Sequence, residues 1–384
     1  MNAGGYALWQ LGFRPFYLLA ALFSAFSVAL WALQFAGWLP HAYLAGPTWH
    51  AHEMLFGYTL AVVTGFLFTA VRNWTGRPTP TGPLLAALAA LWLAGRVLVL
   101  TPWSIAAAVV NVAFPIGVAA GIGVPLWRAR NRRNYFFVGL LLLLALALAC
   151  IHLAERGVIA LPAWAGLQLG LDVILFIMSV MTGRVVPMFT NNGAPGARAR
   201  RNPYVERAAL GGVLLLLVAD LLRVHGLPLI VLAVMLAGVH AWRLALWDTR
   251  RTLRTPLLWV LHLAYAWIPI HLLLRAATEG GWVTRPLAVH ALTLGAIGGL
   301  TIGMMVRTAR GHTGRPLKAD GFETACFALV AAAAVVRVLV PLLAPQYYLA
   351  SILWSGALWS LAFLLYAVRY WPILTRARFD GLPG

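Results

Sequence analysis

Charge is scarce in this chain of 384 residues: Asp, Glu, Lys and Arg make up 10% of it, and only 10 residues are acidic. A soluble domain carries about a quarter charged residues. That excludes an ordinary soluble enzyme, although length alone would allow two or three domains. Cysteine is nearly absent. Cys150 falls near the outer end of the fifth apolar run and Cys326 near the inner end of the eleventh, on opposite sides of a membrane, which argues against a mutual disulfide. Both read as small buried hydrophobes. There is no Cys-rich or His-Glu-x-x-His spacing, which argues against zinc. The first apolar run has no small-residue cleavage site, so it reads as a retained span and not a signal peptide. No internal repeat relates the two halves.

Apolar residues fill 62% of the chain. They fall into runs of about 20 residues, the length that crosses a bilayer core. Twelve spans are predicted, at 16–36, 50–71, 82–100, 103–127, 135–153, 163–183, 207–223, 226–246, 256–278, 286–306, 322–343 and 347–371. The fold class is therefore an all-α, polytopic membrane helical bundle, read as one transmembrane domain over 1–384. The net charge of +19 does not point to nucleic acid. With the amino terminus inside, 23 basic residues lie in inner loops against four in outer loops, Arg156, Arg223, Arg275 and Arg285. That alternation is the positive-inside rule. It places both termini in the cytoplasm of a multi-pass protein of the inner membrane, with the basic loops against anionic lipid of the bilayer.

The longest polar connection, 184–207, contains the turn-rich Asn191-Asn192-Gly193-Ala194-Pro195-Gly196 and splits the spans six plus six. In span ten, Gly295, Gly299 and Gly303 recur every four residues, with Ala291 one step earlier. Small residues so spaced let membrane helices approach closely. On an α-helix His290 would lie about 100° from that stripe.

The polar residues at membrane depth carry the functional signal. Trp49-His50-Ala51-His52-Glu53-Met54 opens span two. Residues two apart on a helix point about 200° from each other, so His50 and His52 serve different partners. His50, His52, His271 and His290 share an outer layer by topology, and His240 and His262 an inner one. His41, His152 and His225 lie in outer loops or span ends, and His312 in an inner loop. The outer layer reads as a haem or metal site, since haem iron takes axial imidazoles between apolar helices. Arg96, Arg275 and Arg337 lie toward the outer side, as partners for haem propionates or as snorkelling cations. Glu53, three residues from His50, is placed to orient an imidazole. Met54 adds a soft sulfur suited to copper. Met304 and Met305 lie farther in and read as packing. Asp172 and Asp220 are intramembrane carboxylates, Asp220 with Arg223 as a local partner.

These motifs resemble the NnrS family. The segments that carry the likeness are Leu11-Gly12-Phe13-Arg14-Pro15-Phe16, Trp49 to Met54, Gly65-Phe66-Leu67 through Asn73-Trp74-Thr75-Gly76, Gly183-Arg184-Val185-Val186-Pro187-Met188-Phe189-Thr190, and His290-Ala291-Leu292-Thr293 through Gly311-His312-Thr313-Gly314-Arg315-Pro316-Leu317. The resemblance implies a bacterial inner-membrane protein carrying haem and copper that acts in the nitric oxide response and protects against nitrosative stress. It supplies no agreed reaction and no ligand set. A looser likeness links the His-x-His pair and His290 to haem-copper oxidases and nitric oxide reductases. Here, however, no adjacent histidine pair stands in span seven and no histidine in span six.

Three readings follow. The first is a haem protein, with copper, that binds or turns over nitric oxide or a related small molecule, with an electron donor if it turns over. The cofactor-binding residues would be His50, His52, His271, His290, Glu53, Arg96, Arg275 and Arg337. The metal-binding set would add His240, His262 and Met54. The second is a secondary transporter of a metal complex or small anion, favoured by the six-plus-six division and Asp172. The third is a haem sensor or assembly factor without turnover.

Overall fold

The apolar runs fold as helices because a bilayer core offers backbone groups no other partners. In a computed structural model, which describes residues 6–38, 43–44 and 46–381, these runs form twelve continuous helices. They are α1 Phe13–Phe35, α2 Gly46–Thr75, α3 Gly82–Leu98, α4 Ser104–Arg128, α5 Phe136–Glu155, α6 Ala163–Gly193, α7 Pro203–Leu221, α8 Leu227–Ala245, α9 Pro256–Glu279, α10 Arg285–His312, α11 Gly321–Leu343 and α12 Tyr348–Thr375. Ten are long and apolar enough to cross a membrane. The other two are α3, shorter at 17 residues, and α7, which carries Glu206, Arg207 and Asp220. The number and order of helices match the twelve expected spans. His41 falls outside the described residues.

Several helices run past their apolar spans. Hydropathy marks only the stretch inside lipid, whereas helical hydrogen bonding continues into the polar zone. α2 begins at Gly46, and α6 passes through Pro187 to Gly193. The long connection expected over 184–207 thus shrinks to the segment between Gly193 and Pro203. Asn191 ties that segment down, donating to the Ala199 carbonyl at 3.0 Å and accepting from its N–H at 2.8 Å. His312, expected in a loop, is the last residue of α10. Helix starts follow local chemistry. The Asn202 side chain caps α7 ahead of Pro203, and Asp320 with Glu323 forms a capping box on α11.

The helices group into two compact units. Unit 1 comprises Met1–Val173, Thr308–Pro316 and Phe363–Gly384, and unit 2 comprises Ile174–Arg307 and Leu317–Ala362. The chain passes between them within α6, α10 and α12 and at Pro316–Leu317. In unit 1 the chain ends meet: the Ala7 N–H donates to the Thr375 carbonyl at 2.7 Å, and Tyr6 bridges Arg376. The two described ends of the chain therefore share one side of unit 1.

In unit 2 the glycine stripe of α10 faces α9. A Cβ on Gly295 would lie 2.4 Å from Trp267 Cγ, one on Gly299 2.6 Å from Ala264 Cβ, and one on Gly303 2.8 Å from Val260 Cγ1. Trp267 is itself buried, so it cannot yield. Gly295→Ala is expected to cost about 1–3 kcal/mol through overpacking. Gly211→Ala, at a position with nothing within 4 Å, is the control, and thermal unfolding in detergent compares the two.

Candidate functional site

The opening histidines sit where α2 changes its winding. Gly46–His52 is α-helical, Glu53–Thr59 is π-helical, and Leu60–Thr75 is α-helical again. α10 repeats the arrangement in unit 2: Arg285–His290 is α-helical and Ala291–Gly298 π-helical. In both helices the wide turn begins one residue after a histidine. π-turns are rare and cluster at functional sites. The angle predicted between His290 and the glycine stripe assumed unbroken α winding, so it does not hold across 291–298.

His50 and His52 meet different surroundings, as their spacing predicts. The His50 ring stacks on Trp31, with centroids 5.0 Å apart and planes 16° off parallel. His52 is fully buried, and its Nδ1 bonds Glu53 Oε1 at 2.7 Å. Glu53 thus orients His52 and not His50. The reason is Arg96 on α3, whose Nη1 donates to the same Oε1 at 2.6 Å and holds the carboxylate on that side. Arg96 also donates to the Asn111 side chain on α4 and lies against the rings of Phe23 and Trp92. Gly57 makes the room, since a Cβ there would lie 2.7 Å from Arg96 Nη1. Met54 faces α1, its sulfur accepting from Ser27 at 3.8 Å.

His152, on α5, completes this cluster. Sequence reasoning placed it at a span end and left it out of the site; its only signal was outer-layer depth. Its ring meets His52 edge to face, with centroids 5.1 Å apart. Tyr43 lies 3.3 Å from its Nδ1 and donates to its carbonyl at 3.4 Å. A carboxylate on Nδ1 places the His52 proton there, which leaves Nε2 as a lone pair. The Nε2 atoms of His52 and His152 are both buried without a hydrogen-bond partner. Buried polar atoms are nearly always satisfied, so such a pair asks for an explanation. Two imidazoles whose rings meet and whose Nδ1 atoms are already engaged suit a single borderline or soft cation. The close approach of the rings leaves no slot between them for a porphyrin.

The remaining predicted residues lie in unit 2. His271 Nδ1 bonds the Ala288 carbonyl at 2.7 Å, and His290 Nδ1 the Pro286 carbonyl at 2.7 Å. Both acceptors belong to the first turns of α10. Each bond fixes the proton on Nδ1, the tautomer in which Nε2 carries the lone pair. Arg337 on α11 bonds the Tyr348 hydroxyl at 3.3 Å and keeps a buried, unpartnered Nη1. Arg275 pairs with Asp220 of α7. That corrects the expected Asp220–Arg223 pair, because Arg223 takes a left-handed conformation just past the helix end.

The inner histidines differ from each other. Both ring nitrogens of His262 are engaged, by Thr190 at 2.8 Å and Thr249 at 3.0 Å. His240 Nδ1 bonds the Tyr265 hydroxyl at 2.6 Å, and its buried Nε2 has no partner. In unit 1, Gln168 donates to Asp172 at 3.0 Å. Among the described residues no group of three or more His, Cys, Asp or Glu side chains forms a metal-holding cluster. A metal here would rest on paired imidazoles.

Comparison with curated proteins returns no match. A family model described as NnrS protein matches residues 7–378, nearly the whole chain, and supports a membrane protein of the nitric oxide response in general terms. The chain belongs to the NnrS family.

Proposed function

We propose that this is a haem- and copper-binding protein of the bacterial inner membrane that protects against nitrosative stress by binding nitric oxide or a related small molecule, and that its two units divide the cofactors. In unit 1, His52 and His152 would hold copper. In unit 2, His271 and His290 would supply imidazoles to haem, with Arg337 reaching a propionate. The observation that carries the reading is the pair of buried, unpartnered Nε2 atoms on His52 and His152.

The residues around the metal nitrogens have separate tasks. Glu53 holds the proton on His52 Nδ1, and Arg96 balances the buried carboxylate. Tyr43 steadies the His152 ring. The backbone carbonyls of Pro286 and Ala288 orient the two imidazoles of unit 2. Haem, when bound, supplies an iron position for a diatomic ligand and for electron exchange. An electron donor would be needed for turnover.

Metal and haem analysis, together with the optical spectrum of the purified protein, tests the proposal. His52→Ala and His152→Ala should each lower copper content at least ten-fold while retaining a Soret band. His271→Ala or His290→Ala should weaken or shift that band. His50→Ala, which removes the ring stacked on Trp31, should retain copper. A colourless, folded preparation from haem-replete cells would sink the haem reading and favour a transporter. Copper indifferent to both unit 1 replacements would sink the copper assignment. A haem-loaded protein that consumes no nitric oxide with a reductant would be a sensor or assembly factor.

A further inference from the structure

Three stretches within the segments that carry the family likeness lie apart from the histidine sites. They are Leu11–Phe16, Asn73–Gly76 with its neighbour Arg72, and Gly311–Leu317. Unit 1 brings them together at one end. Phe13 lies against the His312 ring, with centroids 5.7 Å apart. Arg14 sits in the field of Arg315 and Arg378, and His312 in that of Arg378, Arg72 and Arg14. Arg315 in turn feels Arg310 and Arg369. Asp380 accepts from Arg378 Nε and Nη2 at 2.9 and 2.6 Å, and Arg378 Nη1 donates to the His312 carbonyl at 3.2 Å.

Arg14 is the anomaly in this cluster. It is fully buried. Its Nη1 donates to the carbonyls of Leu374 and Arg376 at 3.0 and 2.7 Å, but its Nε and Nη2 have no partner. A buried guanidinium with unused donors among like charges is costly, and an opposite charge is what relieves it. The cluster also stands at the ends of four helices: α1 starts at Phe13, α2 ends at Thr75, α10 at His312 and α12 at Thr375. In a membrane that level holds phosphate headgroups, and basic pockets between helix ends bind them. Guanidinium forks match the oxygens of a phosphate group.

We infer that this end of unit 1, with Arg14, Arg72 and Arg315 as its donors and Arg378 held beside them by Asp380 and the His312 carbonyl, is a binding site for a phosphate group. The group belongs either to an acidic phospholipid or to free inorganic phosphate. The inference stands independently of the cofactor proposal.

The full-length protein in neutral detergent provides the test. Its thermal unfolding midpoint is followed against phosphatidylglycerol in mixed micelles, with phosphatidylcholine as control. A second arm uses inorganic phosphate, with chloride at matched ionic strength. A saturable rise with phosphatidylglycerol alone identifies a headgroup site, and a rise with inorganic phosphate identifies a soluble anion. Arg72→Gln/Arg315→Gln should raise the half-saturating concentration at least ten-fold, and Arg315→Lys should fall between it and the wild type. Arg14 is left intact because it also anchors the end of α12. Native mass spectrometry of the wild type provides a readout that needs no variant, and one tightly retained phosphate-bearing species is expected. No saturable response in either arm, or a double variant that responds like the wild type, would overturn the inference.

Discussion

Arg96→Met should be among the most damaging single substitutions in this chain. Arg96 is 6% exposed and its partner Glu53 1% exposed. Removing the guanidinium leaves a buried carboxylate with only the His52 ring beside it. Breaking a buried ion pair from one side costs about 3–5 kcal/mol, because the remaining charge stays uncompensated. Asn111 loses a donor at the same stroke. Arg96→Lys should rescue little, since one ammonium cannot reproduce a fork that reaches both Glu53 and Asn111. Glu53→Gln/Arg96→Met removes both charges and should recover much of the loss. Equilibrium unfolding in detergent reads the stability difference, and metal content reads His52. A single Arg96→Met variant as stable as the wild type would show that the pair carries no such weight.

The second large effect is expected at Glu206. Arg243 of α8 is 1% exposed and forks onto Glu206 of α7, with Nε–Oε1 at 2.9 Å and Nη2–Oε2 at 2.6 Å. The same guanidinium donates to the Ser179 carbonyl at 2.9 Å and the Tyr265 hydroxyl at 3.1 Å. Gly183 lets it pass, since a Cβ there would lie 1.8 Å from Nη2. Glu206→Leu strands this buried cation and should cost about 3–5 kcal/mol. Arg243→Leu should cost less, because Glu206 is 12% exposed and can turn toward water. The double leucine variant should lie closer to the wild type than Glu206→Leu does. Denaturant titration of the four proteins gives the coupling energy directly. Additive losses would show that the two side chains act independently.

Both pairs show the limit of reading charge from a chain. Arg243 was counted among the inner-loop cations, yet it is buried and ion-paired within a helix bundle. The depth of Arg96 suits a propionate or the headgroups, yet it holds Glu53. Hydropathy places a residue at a depth but does not say which neighbouring helix supplies its partner. His152 illustrates the same point: its depth was known, but only the packing of α5 beside α2 puts it against His52. The π-turns after His52 and His290 were not foreseen either. A π-turn draws its i→i+5 bonds from within its own helix, and no residue pattern at 53–59 announces it.

The sequence by itself determined the twelve helices, their order, the glycine face of α10 and the opposed surroundings of His50 and His52. Those properties depend on run length against bilayer thickness and on residue spacing along one helix, and both are one-dimensional. Tertiary structure alone decided that His52 meets His152, that Arg96 holds Glu53, that Arg275 pairs with Asp220, and that three separate motifs converge on His312. Each is a contact between helices distant in sequence. Helix packing chooses such contacts by side-chain reach and by the need of every buried charge for a partner.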